Sequence, residues 1–331
     1  MFGGKFACSE EENLAILRFF CNFFAFRGIL YAKDCYICQR IMRSRVAHNA
    51  PALGAYAVGR EQFRPDVEPK KYHIWTMAIY PKIAALSYLN TTPFIYGIRH
   101  AGNLAADLLL TPPSETLANF TAGKADIALL SSAAIPSLKG VEIITDYCIG
   151  ASSAVRTVVI VGNTPIANVR RIWVDAHSRT SVQLAGYLAQ HRWHIAPEWL
   201  LMEDYAIMEQ PQPGDAFMII GDKVFDYEGR YAYSYDLAEE WIAQTSLPFA
   251  FAVWVSRKGV PYSLHDELQH ALTFGVEHIY EAIVESPYAD RPYAYDYLTR
   301  NIDYLFDEQK HKALKKFWDC GLRVQPKVNP G

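Results

Sequence analysis

The stretch Ala84-Ala85-Leu86-Ser87-Tyr88-Leu89-Asn90-Thr91-Thr92-Pro93-Phe94 decides the fold. Its apolar run reads as a buried strand that stops at Ser87. A polar turn carrying Asn90 follows, and Thr91, Thr92 and Pro93 then open a helix. Threonine at a helix cap accepts an orphan backbone N–H, and proline in the first turn has no N–H to lose. A strand that runs through a polar turn into a helix leaves backbone donors at the end of its sheet, which suits an anionic ligand. A second start of this kind, Asp175-Ala176-His177-Ser178-Arg179-Thr180-Ser181, comes later in the chain. The two turns are expected to face each other across a cleft.

Outward from the first turn the chain alternates between strands and helices, the pattern of an α/β fold. Ile83–Leu86, Ile127–Leu130, Val141–Ile144 and Val155–Val161 read as strands, with Ser114 capping a helix that ends at Gly123. A second series follows: strands at Ile172–Val174, Trp199–Met202 and Ala216–Ile220, and helices at Ser178–Arg192 and Leu237–Gln244. Phe249–Val255 returns as a strand, and the remainder reads as helical over Leu264–Glu285 and Tyr293–Phe317. Two series imply two lobes: lobe 1 from 77–162 and 249–326, lobe 2 from 163–248. The long strands 155–161 and 249–255 are expected to cross between them, forming a hinge over a central cleft.

Composition narrows the function class. The 331 residues exceed what one core usually serves, and 51% hydrophobic with 20% charged residues is ordinary for a globular protein. A net charge of -3 offers no positive surface to draw nucleic acid or an acidic membrane. Four of the six cysteines precede residue 40, a usage that fits a reducing cytoplasm better than a disulfide framework. Cys35 and Cys38 have redox or metal spacing but no second pair downstream, so no metal site is expected. Residues 1–76 mix an acidic patch, a phenylalanine cluster and a basic patch without a sustained period. They read as an unshared N-terminal extension, disordered or mis-started, with a helical appendage as the rival reading. The run Phe19–Ala32 is broken by Asn22 and Arg27, too polar to span a bilayer and too poorly flanked for an export signal. A cytoplasmic location is the expectation.

Six segments in order carry a resemblance: Ser87–Pro93, Gly123–Leu129, Tyr147–Ala151, Ser178–Ser181, Ile220–Asp222 and Leu247–Trp254. Together, between about Met77 and Val324, they resemble the chorismate dehydratases of the futalosine route to menaquinone. The resemblance implies a two-lobe fold of the periplasmic-binding-protein type II kind, with C-terminal helices, used as an enzyme. It implies loss of water from chorismate to give 3-[(1-carboxyvinyl)oxy]benzoate, with no metal or organic cofactor. Asn90 matches the family's active-site asparagine, whose NH2 would donate to the departing hydroxyl. Thr157 stands where serine is more frequent, and its hydroxyl would bond substrate. Ser178, Thr180 and Ser181 at a helix start suit a substrate carboxylate, with Ser87 and Ser131 at strand ends as further candidates. No protein base stands out. The substrate's own enolpyruvyl carboxylate is expected to take the ring proton, with Asp222 or His177 as the alternative acid/base.

Each motif also has a purely structural reading. Asn90 fits an Asx turn, Ser178–Ser181 a plain helix cap, Arg179 a surface or interlobe ion pair, and Phe249–Trp254 a core strand. The other functions compatible with the pattern are a dihydroxynaphthoate synthase-like enzyme of the same pathway and a non-catalytic solute-binding protein.

Overall fold

Two twisted sheets, each flanked by helices, make up the computed structural model, which describes residues 80–175, 178–320 and 324–328. The expectations for 1–76, Cys35 and Cys38 among them, lie outside the described residues. In chain order the elements are β1 (Lys82–Leu86), helix Thr92–His100, β2 (Asp107–Thr111), helix Pro113–Thr121, β3 (Ile127–Ser131), β4 (Val141–Ala151) and β5 (Val158–Gly162). Next come β6 (Arg171–Asp175), helix Thr180–His191, β7 (Glu198–Met202), β8 (Asp215–Ile220), β9 (Tyr233–Asp236) and helix Leu237–Thr245. β10 (Phe249–Arg257), helices Tyr262–Glu277, Ile279–Val284 and Ala294–Arg300, β11 (Asp303–Leu305) and helix Glu308–Asp319 complete the chain. No helix among the described residues is long and apolar enough to cross a membrane.

The first sheet runs β11-β4-β10-β3-β1-β2 and the second β7-β6-β8-β5-β9. In each, parallel strands form one half (β2-β1-β3 and β7-β6-β8) and antiparallel partners the other. The central strands are apolar on both faces because helices cover both: every residue of β5 and β8 is buried, as are eight consecutive residues of β10.

Several boundaries differ from the sequence reading. The segment read as the crossing strand 155–161 lies, as Val158–Gly162, wholly inside the second sheet, paired with β8 and β9. β10 lies wholly in the first sheet, so neither long strand is a crossover. The lobes are joined instead by 152–157 and 246–248, and lobe 2 begins near 158 rather than 163. One helix, Leu237–Thr245, holds both joins. Asp236 at its start accepts the N–H groups of Val155 and Arg156 at 3.2 and 2.6 Å, and Trp241 donates to the Pro248 carbonyl at 3.1 Å. The C-terminal tail also leaves lobe 1: Lys327 exchanges backbone hydrogen bonds with Trp199 and Leu201 at the β7 edge. The last helical run is interrupted by β11, which pairs with β4.

Two helix starts form by means other than the expected caps. The Thr91 hydroxyl donates backward, to the carbonyls of Leu86 (2.6 Å) and Tyr88 (2.7 Å), rather than accepting an N–H. It therefore ties the turn to the end of β1. Pro112 holds the cap position ahead of Ser114, because an extended proline followed by Pro113 presets the first turn.

The helix that carries Asn90 at its mouth is positioned by two glycines. A Cβ on Gly97 would lie 1.9 Å from the Ala271 carbonyl oxygen, and one on Gly275 would lie 1.9 Å from that of Pro93. Backbone therefore meets backbone where helices Thr92–His100 and Tyr262–Glu277 cross. Alanine gains about 1 kcal/mol of helix propensity over glycine, but forcing a methyl into a packed contact costs about 1–3 kcal/mol or more. Gly97→Ala and Gly275→Ala are each expected to destabilise the protein by about 2 kcal/mol, read as a lower urea midpoint at unchanged slope. A raised midpoint would show that the crossing is looser than this packing.

Candidate active site

The carboxyl ends of the parallel strands in both sheets converge on one cleft, the usual place for a ligand in open α/β sheets. A solvent-open cavity lies there, lined by residues of both lobes. From lobe 1 come Leu86 at the end of β1, Asn90 beyond it, Ser131 at the end of β3, and Phe251 in β10. From lobe 2 come Thr157 ahead of β5, Ser178 to Ser181 beyond β6, and Ile220 and Gly221 at the end of β8. Asn90, Ser131, Thr157, Ser178, Thr180 and Ser181 thus line a single cavity.

Two of the residues singled out from sequence, Ser87 and Asp222, lie elsewhere. Ser87 is exposed and lines a neighbouring groove with Thr92, Tyr96, Arg99 and Tyr288, because alternation along β1 turns it to the other side of Tyr88. His177 falls outside the described residues. Asp222 is set behind the wall: its carboxylate accepts the Leu89 N–H at 3.1 and 3.3 Å and a hydrogen bond from the Tyr288 hydroxyl. Burial pushes its pKa up, while the Tyr288 and Leu89 bonds and the Arg291 charge pull the other way. The anion drawn to the turn after β1 is therefore the protein's own.

Two buried polar atoms of these wall residues have no hydrogen-bond partner among the described residues, Asn90 Oδ1 and Ser178 Oγ. They sit on opposite lobes. The rest of the Asn90 residue is held on two sides. Tyr304 donates to its backbone carbonyl at 3.0 Å, and the side-chain amide hydrogen-bonds the Tyr297 hydroxyl. Tyr297, completely buried, also meets the Thr157 hydroxyl at 2.7 Å. Burial drives the Tyr297 pKa upward, so its hydroxyl stays neutral and serves as a hydrogen-bond relay.

The Thr180 hydroxyl is engaged within the protein. It lies 2.6 Å from Ser131 Oγ, accepts from the Ala133 N–H at 3.2 Å and reaches the Phe251 carbonyl at 3.1 Å. It pins the mouth of helix Thr180–His191 to β3 and β10, leaving Ser178, Ser181 and the first-turn N–H groups for a ligand. Arg179 is exposed and is the one cation in the wall among the described residues. Tyr88 forms another side, its pKa raised to about 12 by burial and then by Asp175 and Asp222. Its ring lies on Gly221, where φ is +70° and a Cβ would come within 3.0 Å of the ring, so only glycine suits that turn. Among the described residues no group of three or more His, Cys, Asp or Glu is gathered to hold a metal ion. Cys148 and Cys320 are free thiols.

The site's tyrosines, Tyr88, Tyr288, Tyr297 and Tyr304, were not singled out by sequence reasoning. Their one signal was the tyrosine-rich composition, which reads equally well as core packing.

Solved structures share this architecture. The AF1704 protein of Archaeoglobus fulgidus superposes with a TM-score of 0.56 at 17% identity, covering 72% of this chain and 95% of its own. The Candida albicans CA3427 product, described as having the generic periplasmic-binding-protein fold, gives 0.51 at 14% identity, covering 74% and 92%. A Bordetella bronchiseptica protein gives 0.53 at 13% identity, covering 73% and 89%. At these identities the likeness concerns the fold, which is that of a two-lobe periplasmic-binding-type protein. The sequence profile of the family described as menaquinone biosynthesis matches residues 81–322, which takes in both sheets and the whole cleft. By that match the chain belongs to the menaquinone biosynthesis family.

Proposed function

We propose that the chain is a chorismate dehydratase, a hydro-lyase that converts chorismate to 3-[(1-carboxyvinyl)oxy]benzoate. The observation that carries the reading is a pair of buried atoms without a hydrogen-bond partner among the described residues, Asn90 Oδ1 and Ser178 Oγ, on residues that line one cavity from opposite lobes. A buried polar atom without a partner costs about 1–3 kcal/mol, so a ligand that supplies both partners binds by relieving both costs. Chorismate has the required groups: an allylic hydroxyl and two carboxylates on one small ring.

A substrate carboxylate is placed at Ser178, Ser181 and the first turn of helix Thr180–His191, with Arg179 at the rim. The allylic hydroxyl is placed between Asn90 and Thr157. Because the amide already contacts Tyr297, the atom of Asn90 free for substrate is Oδ1, which accepts the hydroxyl proton. The donor to the departing oxygen is then Thr157, which revises the donor role expected of the Asn90 NH2. Elimination breaks the ring C–H beside the enolpyruvyl ether, forms the third ring double bond and expels the neighbouring hydroxyl as water. The enolpyruvyl carboxylate takes the ring proton, since the described cavity wall holds no carboxylate or imidazole, and returns it to the departing hydroxide, so that water leaves and the carboxylate is restored. Effective concentration replaces a protein base.

Incubation with chorismate is expected to yield an aromatic product by absorbance and mass spectrometry, and Asn90→Ala to lower kcat by about 100-fold, the scale of losing one preorganised polar contact. Unchanged chorismate with a raised Tm would instead identify a solute binder.

Asp222 is a lobe-to-lobe contact in this reading. Its raised pKa means the native state keeps the proton longer than the unfolded chain. Stability therefore falls as pH rises from the unfolded carboxyl value through the folded one, then levels off. Asp222→Asn is expected to lose that fall in urea titrations across pH 3–7, the range about a carboxyl pKa near 4, and to keep kcat within about threefold, well below the roughly 100-fold loss of a general base. A loss of most of kcat while chorismate still raises Tm, for Asp222→Asn or His177→Gln, would make that residue the base.

A further inference from the structure

The buried hydroxyl of Tyr297 links two residues of the cavity wall that belong to different lobes, Asn90 and Thr157. It lies 2.7 Å from Thr157 Oγ1 and hydrogen-bonds the Asn90 side chain, and it is itself absent from the cavity wall. A phenol has one proton to give and two lone pairs to receive with. With the Asn90 amide donating to it, as the unpartnered Oδ1 requires, its single proton goes to Thr157. Thr157 then has no other use for its own proton, and the residue, itself buried, lines the cavity.

We propose that Tyr297 is a positioning residue that orders the hydrogen bonds Asn90 Nδ2–H to Tyr297 Oη–H to Thr157 Oγ1, so that Asn90 presents an acceptor and Thr157 a donor to one substrate hydroxyl. The proposal rests on the reading of the cleft as a dehydratase site, and adds to it the origin of the donor–acceptor polarity.

The geometry around Tyr297 supports an ordering role. Its ring is fixed by Phe225, whose centroid lies 5.4 Å away at 83°, and Phe225 in turn stacks on Tyr293 at 3.8 Å. Phe225 belongs to lobe 2 and Tyr297 to the C-terminal helices of lobe 1, so the relay forms only when the lobes sit together. Removing the phenolic oxygen leaves Thr157 Oγ1 free to turn its proton inward and frees the Asn90 amide to rotate.

Tyr297→Phe in the full chain is expected to lower kcat for chorismate by about 100-fold while KM changes less than threefold and far-ultraviolet circular dichroism is unchanged. Thr157→Val is expected to lower kcat by a similar factor, and the double variant to be no slower than either single one. Wild-type kcat in Tyr297→Phe, or losses that multiply in the double variant, would overturn the proposal. A readout independent of substrate separates it from the functional reading. The effects of Asn90→Ala and Thr157→Val on the urea midpoint should be non-additive with tyrosine at 297 and additive after Tyr297→Phe. Additivity in both backgrounds would remove the relay even if chorismate is turned over. Non-additivity confined to the tyrosine background would sustain it even if chorismate proves not to be the substrate.

Discussion

A carboxylate from lobe 2 seated on a backbone amide of lobe 1 determines where the cleft closes. Asp222, just past the end of β8, takes the Leu89 N–H and the Tyr288 hydroxyl. The turn after β1 cannot be satisfied within its own lobe: Thr91 spends its hydroxyl on the Leu86 and Tyr88 carbonyls, leaving the Leu89 donor outward. A buried charge persists only where hydrogen bonds replace its lost hydration, and two groups from outside its own strand, the Leu89 N–H and the Tyr288 hydroxyl, do so here. The same contact places Asn90, one residue on, opposite the hydroxyl-rich mouth of helix Thr180–His191. Thr180 makes a second stitch across the lobes through Phe251 and Ala133. Both peptide connections are braced by the helix Leu237–Thr245, so motion of the lobes must be absorbed within 152–157 and 246–248, where Arg156 and Ser246 already hold positive φ.

The features legible in the sequence were those set by local chemistry. The apolar runs of β1, β3, β8 and β10 found their strands because both faces are buried and hydropathy alone marks them. The convergence of Asn90 with Ser178 and Ser181 followed from two strand–turn–helix units, whose geometry places backbone donors at the sheet end whatever the rest of the chain does. What was not legible depended on pairing. β2 and β9 are partly exposed edge strands, with no continuous buried run to distinguish Asp107–Thr111 or Tyr233–Asp236 from loop. The segment 155–161 looked like a crossover because its burial is continuous, yet a central strand of either sheet has the same pattern, and only β8 and β9 as partners decide between them.

Side-chain partnerships were the other blind spot. Thr91 and Thr180 were both read as helix-start hydroxyls; Thr91 instead bonds back to the Leu86 and Tyr88 carbonyls, and Thr180 reaches across to lobe 1. A threonine hydroxyl can receive an N–H or give to a carbonyl with similar ease, so tertiary packing sets the direction. Asp222 stood in a motif of the cleft, which made it look like a candidate base, while its partners Leu89 and Tyr288 lie more than 60 residues away on either side and carry no local signal. Tyr297 is further still, about 140 residues from Thr157, in a region where tyrosines are too common to single one out.

Under the proposed dehydratase reading, the placement of Asp222 behind the wall also bears on how a binding fold would serve an elimination of water from a dianionic ligand. A dianionic ligand in a partly desolvated cleft repels any carboxylate nearby: two like charges 4 Å apart cost about 4 kcal/mol at an effective dielectric of 20. A wall carboxylate poised as a base would weaken binding of the acid on which it acts. Here the acidic group is withdrawn and tied to the opposite lobe, and among the described residues the cavity wall offers neutral amide and hydroxyl groups with a single arginine at the rim. Such a wall suits a reaction whose driving force is aromatisation of the ligand, because orientation, rather than a strong base, is then what the protein must supply. The fixed geometry of Asn90, braced by Tyr304 at its backbone and Tyr297 at its amide, supplies that orientation from the part of the chain least suggestive of it in sequence.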